Sequence, residues 1–301
     1  MKNFEKMNQM QGVFRVDEPL DRLCSYRIGG AARYFVDAVS CEDVFSTFEF
    51  VRRYSIPMIL LGNGSNLLFD DEGFDGLILR ISSKFGSLEV EEGTLIAPAG
   101  KKLSSLVRFS QLNHCHALNF LGKIPGNVGG SIANNAGAFG KDIASELMWV
   151  EGFTLSGEFK KISKADINFS YRKCSLRGDF LILSAGFSMV DSALRDRNYD
   201  VQNRYRKATQ PLKFPSAGCI FKNPDSFSAG QLIDHSGCKK MRCGNAEVSD
   251  LHANFIINTG AATASSIREL VLRVRERVFE RYGIYLEREL QYADEAILRV
   301  A

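Results

Sequence analysis

No charged residue occurs between Lys123 and Lys141, and five glycines fall in that stretch. It reads Ile124-Pro-Gly-Asn-Val-Gly-Gly-Ser-Ile-Ala-Asn-Asn-Ala-Gly-Ala-Phe-Gly140. Side chains this small cannot fill a core. What the segment offers is bare backbone. Glycine admits positive φ and removes the Cβ that would block a ligand, and successive free N–H groups form an anion-binding concavity. A long surface loop has a similar composition, but Ile, Val and Phe without charge do not suit a disordered linker. A second turn of the same kind, Gly62-Asn-Gly-Ser-Asn-Leu-Leu68, runs straight out of a buried strand expected at 57–61. It lacks the third glycine of a dinucleotide fingerprint, and turn residues rather than a helical period follow it, which disfavours a Rossmann fold.

The 301 residues allow one large domain or two to three small ones. A net charge of +3, with no Lys/Arg block, gives no nucleic-acid footprint. No apolar run approaches the roughly 20 residues of a membrane span, and the first ten residues lack the apolar core of a signal peptide. The seven cysteines are scattered. Cys238 and Cys243, without a second pair, make a poor zinc signal. His114-Cys115-His116, read as extended, points its neighbours to opposite faces and is taken as structural; no metal is expected. Free thiols fit a reducing cytoplasm.

Residues 12–40 are expected to hold short strands around 25–31 and an extended 33–36. Ser40 and Asp43 read as a capping box, and Val44, Phe48 and Val51 keep helical spacing, so 41–54 is predicted helical. Strand patterns follow at 77–81, 88–90 and 94–97. Leu103, Leu106, Val107 and Ser110 predict a helix ahead of the glycine stretch. Strands resume at 147–155 and 180–190, across a polar bend containing Tyr171-Arg172. This half reads as α+β with a mostly antiparallel sheet. The polar, helical 191–210 is expected to link domains. After it come a compact turn at 215–224, a helix opened by a Ser228/Gln231 capping box and stopped by Gly237, and a strand at 255–257. Ile267, Leu270, Val271, Val274, Val278 and Tyr282 form an amphipathic helix. An alternating edge strand is expected at 284–290, with Glu287 and Glu289 on one face.

Seven motifs stand out in order: Gly62-Asn-Gly-Ser-Asn-Leu67, Ile124-Pro-Gly-Asn-Val-Gly-Gly130, Asn135-Ala-Gly-Ala-Phe-Gly140, Tyr171-Arg172, Gly218-Cys-Ile-Phe-Lys-Asn-Pro224, Ala229-Gly-Gln-Leu-Ile-Asp234 and Gly283-Ile-Tyr-Leu-Glu-Arg-Glu289. Together they resemble the UDP-N-acetylenolpyruvoylglucosamine reductase family, flavoenzymes that make UDP-N-acetylmuramate for peptidoglycan. The resemblance spans nearly the whole chain and is to the compact type, without a Tyr-bearing insertion. It implies an α+β fold of the vanillyl-alcohol-oxidase type. Two α+β subdomains, 1–80 and 81–200, would hold FAD non-covalently; a substrate domain, 201–284, would close over the sugar nucleotide, and 285–301 could pack back on the first subdomain. FAD would lie on Gly62, Asn63, Gly64, Ser65, Asn66 and Leu67, and on Pro125, Gly126, Val128, Gly129, Gly130, Asn135, Gly137 and Ala138. Neither glycine stretch contains a basic residue, so the diphosphate would be held mainly by dipoles.

The implied reaction has two halves, with hydride passing from NADPH to FAD and from there to the methylene carbon of the enolpyruvyl ether. Negative charge builds as an enolate, and a proton must arrive. Arg172 is the implied partner of the carboxylate and enolate, because a guanidinium grips an oxygen pair with two donors. Glu289 is implied in stabilising or protonating the enol. Cys219, where much of the family has Ser, is the implied proton donor; a thiol, with a pKa of roughly 8.5, is a far stronger acid than an aliphatic hydroxyl. Tyr171, Lys222 and Asn223 are candidates for the substrate diphosphate, and His252 for the sugar nucleotide. Each has a plainer reading: a solvated arginine, a strand-face glutamate, a small buried cysteine, a structural lysine or histidine. The partner expected is a UDP-sugar, with no nucleic acid and no membrane insertion, and the chain is expected to be a cytoplasmic monomer. The rivals are an FAD-dependent oxidase of the same fold, a hydrolase using Cys219 with His235 or His252, and a nucleotide-binding module without turnover.

Overall fold

The computed structural model describes residues 7–190 and 199–298. The first sheet holds β1 (Val13–Pro19), β2 (Ala31–Ala38), β3 (Met58–Leu61) and β5 (Phe74–Ile81) in the order β1-β2-β5-β3. β1 is antiparallel to β2, whereas β5 runs parallel to both β2 and β3. The helix α1 (Cys41–Arg53) makes the β2–β3 crossover. It starts where Ser40 and Asp43 exchange side-chain-to-backbone hydrogen bonds, and it buries Val44, Phe48 and Val51. Each such side chain contributes about 1.5–3 kcal/mol through burial. The first glycine turn leaves β3 and ends in the short β4 (Leu67–Leu68).

A second sheet has the order β11-β10-β14-β7-β6, antiparallel throughout, from β6 (Glu89–Glu91), β7 (Thr94–Pro98), β10 (Leu147–Thr154), β11 (Phe159–Ser163) and β14 (Phe180–Ser188). Between β7 and β10 lie α2 (Leu103–Leu112), α3 (Val128–Ala133) and the hairpin β8 (Gly137–Ala138) to β9 (Lys141–Asp142). The glycine stretch is therefore built rather than loose. Asn127 caps α3, its Oδ1 accepting from Gly130 N at 3.0 Å, and Val128 and Ile132 are fully buried. A tight hairpin, β12 (Phe169–Ser170) and β13 (Lys173–Cys174), carries Tyr171-Arg172 at its tip.

The remainder comprises α4 (Tyr199–Thr209), α5 (Ala229–His235), a three-stranded antiparallel sheet of β15 (Arg242–Cys243), β16 (Ala246–Val248) and β17 (Ile256–Asn258), and α6 (Ala264–Tyr282). The tail then returns: β18 (Gln291–Tyr292) lies parallel to β4, and Leu298 bridges Met58. Alternation along the first sheet decides which core each side chain joins. Val36, Leu77 and Leu79 pack with α1, α2 and the second sheet, while Phe35, Ile59 and Ile78 pack with Ile220, Phe221, Val271 and the rest of the C-terminal part.

Four expectations are corrected. Residues 25–30 form a turn, not strands, because their polar groups bond to the C-terminal part: Ser25 Oγ donates to Ser216 O (2.6 Å), Tyr26 OH to Ile256 O (3.1 Å), and Asn258 Nδ2 to Tyr26 O (3.0 Å). Residues 284–290 run extended but form only the isolated bridge Arg288 to Phe221 among the described residues. His114-Cys115-His116 lies in a turn after α2, with His114 at φ 60 and Cys115 buried. At Ser228 the hydroxyl accepts from Gln231 N, without the reciprocal half of a box. The expected linker begins outside the described residues, over 191–198, and is helical from Tyr199 to Thr209.

Candidate active site

One cavity of about 570 Å³ runs between the two sheets to the C-terminal part. Its walls include Gly62, Asn63, Gly64, Ser65, Asn66 and Leu67, then Pro125, Gly126, Gly129, Gly130, Gly137 and Ala138, all singled out in the sequence as candidates for FAD. Two residues expected there lie elsewhere. Val128, the first residue of α3, turns its side chain into the core and is fully buried. Asn135 is buried beside the cavity, its Nδ2 donating to Asp142 Oδ2 and Ser170 O.

Arg172, Cys219 and Glu289 line the same space. Arg172 sits at the hairpin tip with φ 57, a conformation sparsely used by non-glycine residues. Its Nε donates to Glu289 Oε1 at 2.9 Å, Nη2 to Gly137 O at 3.0 Å and Nη1 to Asn135 O at 3.5 Å. A guanidinium has five N–H donors, so these bonds leave one free on each terminal nitrogen. Arg172 and Glu289 are 22% and 20% exposed, so the pair is neither solvated nor sealed. Burial raises the Glu289 carboxyl above its usual range, and Arg172 pulls it back.

Backbone pairing brings Cys219 to this pair. Ile220 O accepts from both Glu289 N (2.8 Å) and Leu290 N (3.2 Å), while Ile220 N donates to Asn254 O (2.9 Å). The buried Asn254 side chain clasps Phe221, accepting from its N–H at 2.9 Å and donating to its carbonyl at 2.8 Å. Burial, then the nearby Glu289, push the Cys219 thiol up to about 12, against the pull of Arg172 and Arg206. The same tail stitches the glycine turns together. Asn66 Nδ2 donates to Glu289 O (3.1 Å), and Gln291 Nε2 donates to Asn134 Oδ1 (2.6 Å).

Of the residues expected at the substrate, Tyr171 and Asn223 line the cavity. Lys222 instead lines an adjoining space of about 210 Å³ and pairs with Glu287, holding that carboxyl below its usual range. His252 is not among the lining residues. Its ring packs edge-on against Phe255, its Nδ1 accepts from Asn254 N at 3.3 Å, and burial lowers its pKa. Phe255 and Asn254 line the cavity in its place. Sequence reasoning missed Arg206, Gln210, Arg177 and Gln291, which also face it. Arg206 and Gln210 fall in the stretch from Arg204 to Gln210-Pro211, which resembles a family element near the substrate domain but suggests no job for each residue, and Arg177 and Gln291 gave no signal.

Comparison with known proteins extends this picture. Residues 32–163 match a family model described as an FAD binding domain, and 210–293 match the C-terminal domain of UDP-N-acetylenolpyruvoylglucosamine reductase. The reductase of Syntrophobacter fumaroxidans is 37% identical over 95% of this chain and 85% of its own. That of Chlamydia pneumoniae is 37% identical over 90% of this chain and 89% of its own. The crystal structure of the reductase from Thermus caldophilus superposes with a TM-score of 0.79 at 32% identity, covering 94% of this chain and 99% of that one.

The cavity fits FAD. The backbone N–H groups of Asn63, Gly64, Ser65 and Asn66 make no hydrogen bond among the described residues and remain for a diphosphate. A Cβ on Gly130 would lie 2.9 Å from Asn127 Oδ1, so the floor of the cradle stays at backbone level. With an FAD-binding α+β fold, and identity to reductases running the length of the chain, this protein belongs to the UDP-N-acetylenolpyruvoylglucosamine reductase family.

Proposed function

We propose that Arg172, Glu289 and Cys219 are the groups with which this reductase converts the enolpyruvyl ether of UDP-N-acetylglucosamine enolpyruvate to UDP-N-acetylmuramate, with NADPH as hydride donor. The observation that carries the assignment is the convergence of all three on the cavity that also holds the FAD cradle, with Arg172 bonded to Gly137 O and Asn66 to Glu289 O. Bound FAD supplies the hydride chemistry. Arg172 presents its two free N–H donors to the substrate carboxylate, where enolate charge develops. Glu289 orients that guanidinium and, with its raised pKa, shares a proton with the enol oxygen. Cys219 gives its thiol proton to the carbon next to the carboxylate.

Tyr171 and Asn223 at the cavity mouth would hold the UDP diphosphate, with Lys222 reaching in from the adjoining space and His252 buttressing Phe255. The proposed division is 1–80, 81–200 and 201–284, with 285–301 returning; the pairing of Gln291–Tyr292 with Leu67–Leu68 supports the return. The described residues contain no helix long and apolar enough to cross a membrane, and all seven cysteines are free, which supports a cytoplasmic location. We propose a monomer.

An anaerobic visible spectrum tests this reading. Flavin absorbance should bleach with NADPH and return with the enolpyruvyl substrate. Cys219→Ser should keep substantial turnover, and Cys219→Ala should bleach normally but stall on the return. Return only with oxygen would instead indicate an oxidase, and equal loss of both halves in the Ala variant would remove Cys219 from the proton step.

A further inference from the structure

Donating a proton leaves Cys219 with a negative charge in surroundings that oppose it. The thiol is half-buried, and the Glu289 carboxylate stands beside it. Arg172 offsets this only in part, since its charge is shared with Glu289 at 2.9 Å. One other cation bears on the thiol, Arg206 of α4, in the wall of the same cavity. Its Nε is held by Gln210 Oε1 at 3.2 Å, and its Nη1 is buried with no hydrogen-bond partner. No carboxylate pairs with it among the described residues. A half-buried cation with a buried, unbonded N–H group and no counter-ion is destabilising. Of the charges that develop in this cavity during turnover, the enolate is met by Arg172, and the one on sulfur is the one on which Arg206 bears.

We propose that Arg206 is the counter-ion of the thiolate that Cys219 becomes after protonating the substrate carbon. This rests on the reading of Cys219 as proton donor. In that step the S–H bond breaks, a C–H bond forms, the electron pair stays on sulfur, and a solvent proton later restores the thiol. The charged groups facing the sulfur are Glu289, Arg172 and Arg206. Without Arg206, one carboxylate and one guanidinium cancel and nothing is left to hold the thiolate.

The test is the rate of iodoacetamide labelling of Cys219 between about pH 8 and 10 in the FAD-loaded protein, read by mass spectrometry of its peptide. Arg206→Met should slow labelling at each pH by roughly tenfold or more, the effect of losing a nearby opposite charge. Arg206→Lys should recover most of it, and unchanged flavin content will show that the fold is intact. An unaltered labelling profile in Arg206→Met overturns the proposal. Flavin reoxidation by the enolpyruvyl substrate supplies a second arm. Arg206→Met should slow it in the Cys219 protein and add nothing in Cys219→Ala. Equal slowing in both backgrounds would make Arg206 a substrate ligand instead. Full-rate reoxidation by Cys219→Ala would remove the proton-donor reading, and the role in turnover with it, even if labelling still shifted.

Discussion

Arg172 Nε and Glu289 Oε1 lie 2.9 Å apart although 117 positions separate them in the chain. One sits on a hairpin tip and the other on the returning tail, so the pair exists only when the FAD cradle and the C-terminal part are docked. Arg172→Lys keeps the charge but loses the planar fork. Turnover of the enolpyruvyl substrate should fall by about 10²–10³, while bleaching by NADPH stays nearly unchanged. Stopped-flow measurement of each half-reaction checks this, and parallel loss of both would contradict it.

The Cys219 thiol, pushed from its ordinary range up to about 12, makes stability depend on pH. The folded state favours the neutral thiol, so the unfolded chain ionises first as pH rises. That contribution is fully present below the ordinary value and is lost toward the raised one. Relative to Cys219→Ser, the natural protein should lose about 1 kcal/mol between neutral pH and about pH 10. Urea unfolding of both proteins at the two pH values decides the matter. The other raised cysteines are common to both and cancel.

Gly64 has φ 61, and a Cβ there would lie 2.1 Å from Leu23 O. Gly64→Ala should cost about 2 kcal/mol or more, from strain plus a backbone clash, and should release FAD. Gly140 has φ 79 but nothing within 4 Å, so Gly140→Ala should show the strain alone, about 1 kcal/mol. Thermal unfolding with flavin content separates the two.

Asn254 holds both backbone groups of Phe221, two residues from Cys219. Asn254→Ala leaves that N–H and carbonyl buried and unpaired, at about 1–3 kcal/mol each. Lower stability in urea should accompany a fall in kcat larger than any change in KM. A stability loss without a kcat effect would show that Cys219 is positioned by other contacts.

The segments legible in the sequence were those whose physics is local. The Ser40/Asp43 capping box and the apolar period of α6 depend on neighbours a few residues away, and both form as read. The glycine turns announced their use because bare backbone has few other purposes. The turn at 25–30 was misread because its partners, Ser216, Ile256 and Asn258, lie about 200 residues away. His252 was placed one step too close: its ring supports Phe255, and the phenylalanine faces the cavity.

By itself, then, the sequence determined the chemistry on offer: a flavin cradle, a guanidinium, a thiol and a carboxylate, in a family's order. Only the tertiary structure decided that Arg172, Arg206, Glu289 and Cys219 share one half-buried space and that Lys222 pairs with Glu287 in an adjoining one. The physical reason is that Coulomb and desolvation effects depend on distance and burial. Both are set by how distant segments pack, and no local pattern records them.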